Sequence, residues 1–429
     1  MPGRLNIFQR TMLLWNDLHP YNSVHAVRLK SPLDLSRLQA VVIRTLQAQG
    51  LANLTLQVDA GTYRYGGGEA KCEIKFIQAS SDPRADLRAE AERQLNAPFA
   101  VGQSFTPIRF FVVDGKDSFY FGLVYFHAVA DGEAVVNLLK RIVDAYVGKE
   151  DSSRLELYPK SRGAIAWRNP VMFAKKLLSV FAQLQSLRRA QRPLCRDLQD
   201  QRNAALLCSL APEELQALQR SAKSWNVTLN DLFLALLLQA FAAQRPRPEA
   251  GSRRTKLAVG CIVNLRKELG VSGARIFGLF LGSFVVTGEP QSGLSLRERA
   301  EAVRQQTARI KQNRLYVGAP LELHLARLLL RHFSLERRRK FYLKNHPLWG
   351  GITNMNLDSI WPEAAGGRPA EYLRVVSTGP ATPLVLAITT ARGGVNIGLT
   401  YRTAFFSAPE VEAVKQFFLD AVRQLRTTA

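Results

Sequence analysis

Phe119-Tyr120-Phe121-Gly122-Leu123-Val124-Tyr125-Phe126-His127-Ala128-Val129-Ala130-Asp131-Gly132 opens as an apolar run rich in aromatic and β-branched residues, which reads as a buried strand. It closes on His-x-x-x-Asp-Gly, after which Ala134, Val135, Leu138 and Leu139 recur at helical spacing. His127 therefore falls where a strand hands over to a helix, a place where a side chain can face a cleft from a rigid support. An imidazole there suits general-base work, because its unperturbed pKa lies near neutrality. Asp131 has a different expected task. A carboxylate at an apolar strand end is costly to bury without a cation, so Asp131 is expected to fix the loop that aims His127. The plainer reading of the same residues is a satisfied core histidine followed by an N-cap aspartate.

The stretch resembles the active-site signature of the chloramphenicol-acetyltransferase-like superfamily. That group takes in the condensation domains of nonribosomal peptide synthetases, plant acyltransferases with an H-x-x-x-D motif, alcohol acetyltransferases and wax-ester synthases. Condensation domains usually carry two consecutive histidines, of which the second is catalytic. Here Phe126 stands in the first position and His127 keeps the second. The resemblance implies an α/β fold of two subdomains, each a mixed β-sheet flanked by helices, with the active site in a channel between them. Residues 1–160 would form the subdomain carrying the motif, 161–203 a basic crossover, and 204–429 the second subdomain.

Further segments carry the resemblance in chain order. "LHPYNSVHAVRL", from Leu18 to Leu29, is similar to the superfamily's first strand; it also holds His19 and His25, which read as turn or surface histidines more readily than as catalytic ones. "VTLNDLFLALLLQAF", from Val227 to Phe241, is apolar nearly all round, hence buried, and is similar to the helix that opens the second domain. Asn264-Leu265-Arg266 resembles the family's Asn-x-Arg segment, whose arginine pairs with the motif aspartate. A planar guanidinium suits a bidentate clasp on a carboxylate, so Arg266 is the expected partner of Asp131, with Gly132 in the active-site loop. Phe277 to Val286, with Gly278 and Gly282, is similar to a strand segment flanking the family's tunnel. Gly351-Ile352-Thr353-Asn354-Met355-Asn356 resembles the Ser/Thr-Asn segment near the active histidine, which makes Thr353 a candidate oxyanion donor and Asn354 a candidate acceptor or loop contact.

Charge says something about partners. Of 429 residues, 58 are Lys or Arg and 35 are Asp or Glu, a net charge of +23. Nucleic acid, an anionic membrane surface, the phosphates of coenzyme A and an acidic carrier protein all fit such an imbalance. No zinc-finger spacing, RNP-like motif or base-reading helix-turn-helix is present, so nucleic acid ranks last. Arg327, Arg331, Arg337, Arg338, Arg339 and Lys340 cluster in a short segment and read as the docking face for the donor. A second basic segment runs from about Lys149 to Asp200. Leu177, Leu178, Val180, Phe181 and Leu184 give it an apolar face, and Lys175, Lys176, Arg188, Arg189 and Arg192 its basic ends. It reads as an inter-domain helix, or as a contact with an anionic membrane.

The four cysteines, Cys72, Cys195, Cys208 and Cys261, are scattered with no C-x-x-C pair, so neither a metal site nor a redox dithiol is expected, and a reducing cytosol fits. The chain shows no apolar leader and no run of about twenty uncharged apolar residues. It is expected to be a cytoplasmic monomer, with peripheral contact at the inner face of the membrane left open.

Taken with the resemblance, these features imply an acyltransferase of lipid or secondary-metabolite biosynthesis. It would move an acyl group from a thioester of coenzyme A or of a carrier's phosphopantetheine to a hydroxyl or amine, with His127 as base and no tightly bound cofactor. The class expected is transfer of groups other than aminoacyl groups. Phe126 keeps one alternative open, a non-catalytic domain that binds acyl chains or carrier proteins at a membrane surface.

Overall fold

The computed structural model describes residues 2–149, 154–157, 185, 187–244, 252–271, 276–290, 293–317, 327, 330–362 and 368–428. In chain order the strands are β1 (Pro2–Arg4), β2 (Asn22–Leu29), β3 (Leu54–Gln57), β4 (Thr62–Tyr65), β5 (Ile74–Gln78), β6 (Ile108–Gly115), β7 (Ser118–Phe126), β8 (Glu156–Leu157), β9 (Asn203–Leu210), β10 (Leu257–Asn264), β11 (Ile276–Phe277), β12 (Leu281–Gly288), β13 (Gly350–Asn356), β14 (Glu371–Val376), β15 (Leu384–Ala391) and β16 (Gly394–Arg402). The helices are α1 (Ile7–Asn16), α2 (Leu35–Gln49), α3 (Pro83–Asn96), α4 (Gly132–Tyr146), α5 (Pro212–Ser224), α6 (Leu229–Gln244), α7 (Leu296–Gln312), α8 (Leu335–Asn345) and α9 (Ala408–Thr428).

Two mixed sheets organise these elements. The first has the order β14-β2-β7-β6-β5 and the second β12-β10-β13-β15-β16-β9. Strand β7 is the middle of the first sheet, antiparallel to β2 on one side and β6 on the other. Every residue from Phe119 to Phe126 is buried, which accounts for an apolar run without alternation. The run stops at Phe126, and α4 starts at Gly132 with Asp131 as its N-cap, the carboxylate accepting the Ala134 N–H at 2.9 Å. In the second half, α6 is buried from Asp231 through Leu238, so its uniform apolarity belongs to a core. No single helix among the described residues is long and apolar enough to cross a membrane.

One strand does not follow chain order. Residues 204–429 supply most of the second sheet, yet β14 leaves it and pairs antiparallel with β2 in the first, Arg374 opposite His25. This strand is also pressed against the second sheet. A Cβ added at Gly398 of β16 would lie 1.8 Å from the Arg374 carbonyl oxygen, so only glycine lets the two backbones approach this closely.

The sequence suggests a hairpin of residues 54–58 and 73–77 across Gly66–Gly68, and the structure corrects this. β3 instead pairs with β4, while β5 runs parallel to β6 in the main sheet. The turn between β3 and β4 holds Gly61 at φ +64°, which suits a tight reversal. Of the basic crossover, residues 158–184 and 186, including Lys175, Lys176, Leu177, Leu178, Val180, Phe181 and Leu184, lie outside the described residues.

Gly398→Ala should force β14 off the second sheet and lower unfolding free energy by about 1–3 kcal/mol or more. The same change at Gly102, where an added Cβ meets nothing within 4 Å, should stay within about 0.5 kcal/mol of wild type. Urea midpoints of the two variants check this.

Candidate active site

His127 sits one residue past the end of β7, its backbone N–H donating to the Tyr21 carbonyl at 3.0 Å. Its Nδ1 lies 3.2 Å from the Ala130 carbonyl oxygen. A carbonyl can only accept, so Nδ1 carries the proton and Nε2 keeps a lone pair. The ring stacks on Tyr21 at 5.4 Å between centroids and 9° between planes, and meets the edge of Tyr125 at 5.4 Å. It is 9% exposed, and that exposure faces a cavity of about 900 Å³. Burial pushes its pKa below the ordinary 6.5; the Ala130 hydrogen bond and Asp131 oppose the shift, and Arg374 adds to it. At neutral pH the ring is therefore a neutral base.

Phe126 points the other way. Its ring is fully buried and packs against Phe99 and Phe105, 5.9 and 6.0 Å away between centroids. Phe126 thus fills the core on the side of the strand away from the cavity.

Asp131 and Arg266 form a buried, two-point ion pair. Arg266 Nη2 donates to Oδ1 at 2.9 Å and Nε to Oδ2 at 3.2 Å. The Phe280 N–H donates to Oδ2 at 3.0 Å, and the Asp131 N–H donates to the Gly278 carbonyl at 2.9 Å. Arg266 spends its other N–H groups on the Ile276 and Gly278 carbonyls and lies over the Phe280 ring at 4.7 Å. The carboxylate of Asp131 is thus turned away from His127, which excludes a hydrogen-bonded dyad like that of serine hydrolases. Glu133 lies beside the clasp, accepts a hydrogen bond from Asn264, and has its pKa raised by burial. Gly132 packs closely against β13, since a Cβ there would sit 2.7 Å from the flexible end of the Met355 side chain, which would have to shift.

The cavity is walled by both sheets. His127, Tyr125, Arg374 and Val376 come from the first, and Gly260, Ile262, Ser283 and Thr353 from the second. Thr353 is half-buried and Asn354 exposed; both line the cavity, and neither side chain has a hydrogen-bond partner among the described residues. Sequence reading did not single out Arg374. It is 3% exposed and lines the cavity, and its signal was an arginine set within the strand-like run Tyr372-Leu373-Arg374-Val375-Val376. Tyr21, which stacks on the histidine, carries no signal of its own in the sequence.

The basic cluster is divided by the structure. Arg327 lines the cavity, together with Arg188 and Lys344. Arg331 and Arg337 are exposed. Arg338 is turned inward onto Asp17 at 3.0 Å and the Leu330 and Phe333 carbonyls, Arg339 donates to Gln199 at 2.6 Å, and Lys340 pairs with Glu336 at 2.6 Å. His19 bonds Asn96 at 2.8 Å and is pushed down by burial to about 4. His25 is fully buried with Nδ1 2.7 Å from the Tyr372 hydroxyl. Neither His19 nor His25 lines the cavity. Among the described residues no group of three or more His, Cys, Asp or Glu is placed to hold a metal ion.

Residues 5–428 match the family model described as Condensation domain. The chain belongs to the condensation-domain family. It is 22% identical over 416 residues to surfactin synthase subunit 1 of Bacillus subtilis (strain 168), covering 93% of this chain but only 11% of that protein's length. Among solved structures it is similar to the first condensation domain of the CDA synthetase, with TM-score 0.70, 16% identity, and coverage of 99% of this chain and 96% of that one. It is also similar to a mutant starter condensation domain of rhizomide synthetase RzmA in complex with C8-CoA and Leu-SNAC, with TM-score 0.70, 14% identity, and coverage of 99% and 94%. These likenesses establish the two-subdomain mixed α/β fold. Condensation domains are acyl-transferring enzymes, and membership supports a bond-forming condensation rather than specifically the transfer of non-aminoacyl groups that the sequence suggests.

Removing either partner of the clasp leaves the other charged and buried. Arg266→Ala and Asp131→Ala should each cost about 3–5 kcal/mol. The double variant should fall well short of the sum, because the pair is lost only once. Chemical denaturation of the three variants measures this.

Proposed function

We propose that this chain transfers an acyl group from a thioester to an amine or hydroxyl acceptor, with His127 as the general base. The observation that carries the reading is the contact of His127 Nδ1 with the Ala130 carbonyl in a ring that lines the cavity between the sheets; with the proton on Nδ1, Nε2 keeps the lone pair. The acceptor's proton passes to Nε2 as its nitrogen or oxygen bonds to the thioester carbonyl carbon. The carbonyl oxygen takes up negative charge, for which the Thr353 hydroxyl is a neutral donor at the cavity wall. The tetrahedral adduct then expels the thiolate, and the imidazolium returns the proton to sulfur or solvent.

The donor is a carrier's phosphopantetheine thioester or an acyl-coenzyme A. Either brings a phosphate, and Arg188, Arg327 and Lys344 on the cavity wall suit it. A carrier protein would add the exposed Arg331 and Arg337 to its contact. The Asp131–Arg266 clasp takes no part in proton transfer. It holds the turn from which His127 projects.

His127→Ala should lower kcat by about 10²–10⁴-fold while the melting transition stays unchanged. Turnover close to wild type in that variant would remove the general-base role. The wild-type rate should hold as pH falls through 6.5 and drop only at lower pH, because the base works as neutral imidazole and burial depresses its pKa. Mass-spectrometric turnover with a panel of amines and alcohols checks both. Matched carrier-bound and coenzyme A donors separate the two sources. Turnover with the carrier-bound donor should fall steeply between low and physiological salt, whereas the small donor should respond weakly.

A further inference from the structure

Arg374 stands out among the charged groups that face the cavity. A guanidinium has five N–H donors. Nε donates to the Thr389 hydroxyl at 2.8 Å, and Nη2 to the Ile388 and Thr353 carbonyls at 2.6 and 3.1 Å. Nη1 has no acceptor among the described residues, and it lies 3.5 Å from where a Cβ of Gly132 would sit, beside the cavity. The head group is therefore fixed in place, with one edge unused.

Its charge is also unmatched. No carboxylate lies within ion-pair distance of Arg374 among the described residues. Of the acids on the cavity wall, Asp131 is held by Arg266, and Glu133 accepts from Asn264 with Arg266 at 4.0 Å. The titratable groups packed nearest Arg374 are neutral: His25 and His127 have depressed pKa values, and the Tyr125 and Tyr372 hydroxyls are pushed up by burial. Arg188, Arg327 and Lys344 add more positive charge around the same space. Arg402, likewise buried without an ion pair, differs. All three of its nitrogens bond protein acceptors, and it does not line the cavity. A buried cation is costly until an anion pairs with it.

We infer that one of the two substrates brings an anionic group, a carboxylate in its simplest form, which enters this cavity and pairs with the free edge of Arg374. The inference rests on the acyl-transfer reading for the word substrate, but the pairing itself needs no turnover. The two possible sources are a carboxylate on the acceptor and a carboxylate at the far end of the acyl chain. Arg374 is then a specificity residue, selecting by charge and not by chain length.

Calorimetric binding of matched pairs tests this without chemistry. N-octanoylglycine against N-octanoylglycinamide probes an acceptor-side carboxylate, and succinyl-pantetheine against butyryl-pantetheine a donor-side one. In one arm the anionic member should bind at least about 10²-fold tighter, since a site built around a buried polar group rejects the analogue that leaves it unpaired. Arg374→Gln should bring that ratio close to one, and Arg374→Lys should retain part of it. No preference in either arm of the wild-type protein overturns the inference, whether or not the variants fold. So does a preference that survives Arg374→Gln. Turnover of neutral substrates with no anion preference would sink this inference and leave the acyl-transfer reading standing. An Arg374-dependent preference with no turnover on any donor and acceptor would do the reverse.

Discussion

The Asp131–Arg266 ion pair is the constraint on which the site depends. Both residues are almost wholly buried, at 1% and 3% exposure, so neither charge is tolerable without the other. Asp131 belongs to the turn between β7 and α4, and Arg266 follows β10 in the other half of the chain. Their pairing therefore fixes one half against the other at the point where His127 leaves its strand. The short aspartate side chain also caps α4 and receives the Phe280 N–H. Four hydrogen bonds converge on two oxygens, and a longer glutamate could not cap its own helix from the same position. The turn that presents the imidazole is over-determined, which fixes where the ring points.

A second link joins the halves at β14. This strand is hydrogen-bonded into the first sheet but lies directly on the second, where Gly398 removes the side chain that would hold it off. From it Arg374 reaches Thr353 on β13 and Ile388 and Thr389 on β15. The clasp and β14 thus flank the cavity.

Much of this was legible in the sequence, for definable reasons. The strand from Phe119 to Phe126 and the helix after Asp131 follow from unbroken apolarity changing to a 3.6-residue period. The partnership of Asp131 with Arg266 came from the likeness of Asn264-Leu265-Arg266 to the family's Asn-x-Arg segment, and the chemistry agrees, because a buried carboxylate needs a cation and a guanidinium can clasp it at two points. What was not legible depended on long-range pairing. β3 and β4 are four residues each, too short to carry a clear period, and the glycine run after Tyr65 drew the hairpin to the wrong place. β14 has a strand-like pattern, but nothing local says that it crosses to the other sheet. Arg374 was overlooked for that reason, since an arginine in an edge strand is normally a solvated one. Charge in a sequence also does not show which basic side chains already have partners, as Arg338 has in Asp17 and Arg339 in Gln199.

The unmatched cation and the base are coupled by their proximity. His127 feels Asp131, which favours its charged form, and Arg374, which disfavours it. Burial is the main cause of its lowered pKa; the Ala130 hydrogen bond and Asp131 oppose it, and Arg374 adds a smaller push in the same direction as burial. Burial, with Arg374 adding to it, thus keeps the imidazole a weaker base than a free histidine. An anion seated on Arg374 cancels the repulsion that protonated His127 would meet, and so strengthens the base at the moment the substrate is in place. Binding and basicity are then two sides of one electrostatic linkage.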